Sequence, residues 1–183
     1  ARRTNANQEK SAPRCASLLL VALALSLSGS AVQAQVDVTA SAGTPAASYT
    51  TLKGAFDAIN AGTHQGVIAI GLSGDTTETA MATLSASGSG AASYSSVLIN
   101  PTGGAPRTIS GAIAAGSPLL DLNGADNVTI DGLNTGGNAL TITNTTVSAT
   151  SGTSTIRFIG GATGNVITNS NIQGSATMPV ATG

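Results

Sequence analysis

Asp121, Asp126, Asp131 and Arg157 are the residues of this 183-residue sequence whose types and spacing come nearest to chemistry. Carboxylates gathered near a guanidinium can hold a sugar and move a proton. Asp121 stands in Leu119-Leu120-Asp121-Leu122, and Arg157 in Ile156-Arg157-Phe158-Ile159. Side chains alternate along a strand, so if Leu120 and Leu122 point inward, Asp121 points outward. The same rule turns Arg157 and Asp131 outward. The two segments recur at an offset of about 37 residues, give or take one, which can bring Asp121 under Arg157 on neighbouring layers. That pairing is either half of a carbohydrate site or a solvated ion pair of about 0–1 kcal/mol. The ion pair is the expected reading, and Asp126 is expected to shape a turn.

The other reactive residues form no constellation. His64 is the only histidine and lies in a Gly/Thr/Gln stretch, where it is expected to be a turn residue. One His cannot build a metal centre, and the single cysteine, Cys15, lies near the start of the chain. No serine stands in a G-x-S-x-G elbow. Gly88 and Gly90 lack the strand-to-helix setting of a nucleotide loop. Asn127-Val-Thr and Asn144-Thr-Thr match the glycosylation sequon but are expected by-products of an Asn- and Thr-rich composition. No catalytic activity, metal or cofactor is therefore expected in this segment; Asp121, Asp131 and Arg157 stand as its weak candidates. From Gln35 onward, Lys53, Arg107 and Arg157 face Asp37, Asp57, Asp75, Glu78, Asp121, Asp126 and Asp131. The net charge of about −4 leaves no basic patch for phosphates, so nucleic acid is not an expected partner. Nor is there a basic amphipathic helix for a membrane surface.

The elements that would carry these residues begin after a leader. Arg2, Arg3, Lys10 and Arg14 precede the apolar run 16–27, which is too short to span a hydrocarbon core that needs about 20 residues. Val32-Gln33-Ala34 then fits a signal-peptidase site. Residues 1–34 are expected to be an export signal cut after Ala34, which makes the protein secreted or displayed on the outer surface. The sequence opens on Ala, so residues are expected to precede it. The mature chain has no Cys and no disulfide. It is 41% hydrophobic and only 8% charged, unlike chains that stay disordered.

Residues 36–40 alternate as a short strand, followed by a Ser/Gly/Pro/Ala turn. The spacing of Leu52, Phe56 and Ile59 predicts a helix over 51–61, capped by Thr50 or Thr51 and ended by Gly62. The period then drops to two, with short apolar strands at 67–70, 97–99, 119–122, 128–130, 140–142, 156–159 and 166–167. Residues 119–134 and 156–172 share a pattern: a strand, a Gly-rich turn, Asn-Val, a second strand. With 140–144 as a third strand, this describes one lap of a solenoid, lengthened by the polar loop 145–153. Asn123, Asn127, Asn165 and Asn169 are expected to stack as amide ladders. The competing fold is an antiparallel sandwich. It has no need for a repeated Asn-Val after a Gly turn or for a leading helix. The expected fold class is all-β: a right-handed, single-stranded parallel β-helix with an N-terminal capping helix. The strand and capping helix take 35–66, and the first coils 67–183.

Residues 49–62 (YTTLKGAFDAINAG) with Val67-Ile-Ala-Ile70 resemble the N-terminal entry of pectin-lyase-like β-helix proteins. The chain is also similar to large surface proteins of Bacteroidetes-like bacteria, in which stretches like 123–133 and 153–159 recur. The resemblance covers most of residues 36–175. It implies a long exported protein, of which this chain is an N-terminal fragment stopping mid-pattern at Gly183. Pectate lyases hold Ca²⁺ with several acidic residues near a basic one, and polygalacturonases use an adjacent Asp pair. Neither pattern stands here. The expected function is structural or adhesin-like, with surface glycans or other cell-surface components as partners. A polysaccharide lyase or glycoside hydrolase with its active coils beyond residue 183 is one alternative. A glycan-binding module is another, which the few rings (Tyr49, Phe56, Tyr94, Phe158) disfavour. An open last coil is expected to make the isolated fragment self-associate.

Overall fold

A computed structural model describes residues 33–174. The leader and Cys15 lie outside the described residues but for Gln33 and Ala34, as do residues 175–183. Two strands, β1 (Val36–Gly43) and β2 (Ala46–Tyr49), lead into α1 (Leu52–Asn60). Coil one follows as β3 (His64–Leu72), β4 (Thr76–Glu78) and β5 (Ala82–Ser85). Coil two is β6 (Tyr94–Pro101), β7 (Pro106–Gly111) and β8 (Pro118–Asn123). Coil three is β9 (Val128–Asp131), β10 (Ala139–Asn144) and β11 (Ser154–Ile159), after which β12 (Val166–Thr168) and β13 (Ser170–Gln173) start another lap. The strands stack into three sheets, β3-β6-β9-β12, β4-β7-β10-β13 and β5-β8-β11, with every coil-to-coil pairing parallel. The fold is an all-β parallel β-helix of about three turns with one short helix.

Alternation sends one set of side chains into the lumen, and the register lines them up. Ile70, Ile99, Ile130 and Ile167 form one column, and Thr76, Ile109, Ile142 and Ile172 a second. Ala82, Leu120 and Ile156 form a third, beside Leu84, Leu122 and Phe158. Burying one Ile or Leu contributes roughly 1.5–3 kcal/mol, so these columns outweigh any surface contact. Strands β4, β5, β7 and β13 have no strong apolar signature, which is why sequence periodicity passes over them. Thr76-Thr77-Glu78 is strand only because Ile109-Ser110-Gly111 lies directly above it.

The N-terminal end is closed by two devices. The stretch read as a turn after residue 40 is instead the hairpin β1–β2. It adds antiparallel to the edge of β3, with Val36 and Val38 buried. The helix covers the other edges. Thr51 caps it, its hydroxyl accepting from the Gly54 N–H at 3.1 Å. Leu52, Ala55, Phe56 and Ile59 form its buried face. The Asn60 amide donates to Thr83 O at 2.8 Å and accepts from Ser85 N–H at 2.9 Å, so one side chain stands in for a missing strand beside β5. The Glu78 carboxylate, 1% exposed, accepts from the N–H groups of Leu52 (2.8 Å) and Lys53 (3.0 Å) at the positive end of the helix.

The Asn-Val repeat is not in register. The pairing sets Arg157 on Asp121 but Val166 on Thr129, one residue further along. Between the registered pairs Ile159–Asn123 and Val166–Thr129, the upper coil holds one more residue than the lower. Gly164, at φ +67°, therefore sits over Asn127, at φ +57°, where an added Cβ would meet Asn127 Oδ1 at 2.7 Å. Asn165 lands over Val128 instead. Its amide accepts from Val128 N–H and donates to Ala125 O, both at 2.8 Å. In place of the expected amide ladder, Asn165 bridges to the backbone of the coil below. Val166 is turned to the outside, because a one-residue slip reverses a strand's faces.

Two consequences are measurable. Glu78→Ala leaves two helix N–H groups unpaired, one of them on buried Leu52. It should lower stability to urea by about 1–3 kcal/mol, while Glu78→Gln, which keeps one acceptor oxygen, should lose less. An unchanged midpoint for Glu78→Ala would refute the capping role. The buried Tyr94 hydroxyl donates to Ser85 O, and burial, helped by the charge of Asp126, pushes its pKa up to about 12. A group raised in the folded state adds stability that is complete below its unfolded value, near 10, and is lost as pH climbs toward the folded one. Unfolding free energy should fall between about pH 10 and 12, and Tyr94→Phe should flatten most of that fall. Tyr49, also raised by burial, accounts for a residual slope in the same direction.

Candidate functional site

Asp121 and Arg157 come together as the register of β8 and β11 requires. The guanidinium is bidentate: Nε donates to Oδ1 at 2.8 Å and Nη2 to Oδ2 at 3.0 Å. The pair is not solvated as expected. The Asp121 side chain is only 3% exposed and that of Arg157 35%. Asp121 does point away from the lumen, but Thr83 lies against it from the coil below and Arg157 closes it from above. Pro118 through Leu122 is buried throughout, on both faces of the strand. The hydrogen bonds to Asp121 hold the Arg157 pKa above its ordinary value. With both oxygens engaged, this carboxylate has little left to offer a ligand.

Asp131 belongs to a different sheet. It ends β9, whereas Asp121 and Arg157 lie on β8 and β11. Its Oδ1 accepts from Asn169 Nδ2 at 2.9 Å on the next coil and from Leu133 N–H at 2.9 Å. These two bonds, the Asn169 one foremost, draw its pKa below the ordinary carboxylate value. They also steady a bend in which Leu133 (φ +62°) and Asn134 (φ +47°) both take left-handed backbone. Gly132 is obligatory there, since a Cβ would lie 2.0 Å from Asn169 O. Asp126 lies in the turn after β8, but its bonds reach across to the next coil rather than within that turn. Its Oδ1 accepts from the N–H (2.6 Å) and the hydroxyl (2.8 Å) of Thr163. Each acidic candidate thus ties one coil to the next.

His64 is not a turn residue. It opens β3, fully buried, with Gly43 of β1 as its strand partner. Its Nδ1 lies 2.7 Å from Thr44 O, which can only accept, so Nδ1 carries the proton. Nε2 lies 2.7 Å from the Tyr49 hydroxyl, within hydrogen-bond distance. The three residues fasten the β1–β2 turn and the end of β2 to the start of coil one. Nothing in the local sequence announced this, because the partners come from three separate elements. The second sequon is equally structural: Asn144 is 1% exposed, its amide donating to Ser154 O at 2.7 Å and accepting from Thr146 N–H at 2.9 Å.

The loops between the second and third sheets form one row along the stack. They lengthen with each coil, from 79–81 to 112–117 to 145–153. The upper two are bonded to one another: Ile113 N–H to Thr146 Oγ1 (2.8 Å), Thr146 Oγ1 to Ile113 O (3.0 Å) and Gly116 N–H to Thr153 Oγ1 (2.7 Å). Val147, 58% exposed, stands on the longest of them. The ridge carries no charged residue.

Among the described residues no three His, Cys, Asp or Glu side chains gather as a metal site, and no helix is long and apolar enough to cross a membrane. No protein-family model, curated protein or solved structure matches the chain.

The reading of Asp121–Arg157 as a brace between coils has a direct check. Arg157→Ala strands a buried carboxylate and should lower the melting temperature. Adding Asp121→Asn should restore part of the loss, so the double-mutant cycle shows coupling. Strictly additive losses would mean the pair does not act as a unit.

Proposed function

We propose that this is an exported structural or adhesin-like protein, whose β-helix is a stiff body presenting a ridge of neutral loops at the cell surface or outside the cell. The observation that carries the proposal is the bonded, uncharged ridge of loops 112–117 and 145–153, on a stack in which Asp121, Asp126 and Arg157 are engaged between coils. A solenoid suits such a role, since each coil adds length without a new fold. The basic leader, the apolar run 16–27 and the small residues at Val32 and Ala34 support export with cleavage after Ala34. Residues 49–62 resemble the entry of pectin-lyase-like β-helix proteins and 123–133 a stretch that recurs in large bacterial surface proteins, and both resemblances favour the same placement. The partner class is neutral surface glycan, matched to an uncharged ridge of Thr, Ser and Ala.

Export is tested by expressing residues 1–183 in a bacterium with a general secretory pathway. The extracytoplasmic product should begin at Gln35 when its terminus is sequenced, and retention of an uncut chain in the cytoplasm would defeat the proposal. Presentation is tested with residues 35–183 on immobilised neutral polysaccharides. The chain should bind, and Val147→Asp combined with Ala149→Asp should weaken binding at least about tenfold (about 1.4 kcal/mol) with unchanged circular dichroism. Equal binding by the variant, no binding to any polysaccharide, or release of oligosaccharides by the wild-type chain would each refute it.

A further inference from the structure

We draw no further inference here: the strongest candidate, the apolar lumen end that Phe158, Ile167 and Ile172 leave exposed on the last described strands, carries nothing because nothing in the structure shows what covers it.

Discussion

Backbone pairing between successive coils is the constraint on which everything else in this molecule rests. No strand here is long enough to persist alone; each is held because its N–H and C=O groups meet those of the coil above and below, about 4.8 Å away. Pairing also fixes which side chains stand over one another, and so converts alternating sequences into continuous columns of Ile, Leu and Val. The columns supply most of the stabilisation, but they exist only if the register holds from lap to lap. Turn chemistry guards that register, through the glycine at 132, the left-handed asparagines at 127 and 169, and the Asn165 bridge.

A stack built this way has a problem at its ends, and the N-terminal end shows how it is met. The edges of β3, β4 and β5 would otherwise present unpaired backbone. One is covered by a strand of opposite direction, one is anchored through the Glu78 carboxylate to the start of α1, and one is matched by the Asn60 amide. The buried His64 and the Tyr49 hydroxyl then lock the hairpin against coil one. Side chains here do what a further coil would do, and the choice of Glu and Asn follows from the groups left over: two helix N–H donors in one place, a strand C=O and N–H in the other.

Asp121, Asp126, Asp131 and Arg157 serve the same end. A buried carboxylate costs several kcal/mol unless its oxygens are matched, and the bidentate guanidinium of Arg157 matches those of Asp121. Asp126 and Asp131 are satisfied by groups of the next coil. Residue types that elsewhere perform acid–base work are here engaged in holding laps together.

By itself the sequence determined the class of fold: short period-two segments, punctuated by Gly and Asn and led by one amphipathic helix, admit a coiled stack of parallel strands. It also brought Asp121 and Arg157 to within one residue of a shared position, because both lie mid-strand in the repeated segments; the register itself made them partners. Only the tertiary structure decided that Asp121 is buried, that Val166 stands outside and Asn165 over Val128, that Thr76-Thr77-Glu78 is a strand, and that His64 is sealed between three elements. Alternation within a strand is a local property that a few residues express. Register, edge closure and burial depend on the number of residues in distant turns and on which strand lies above, and these become definite only when the coils are stacked.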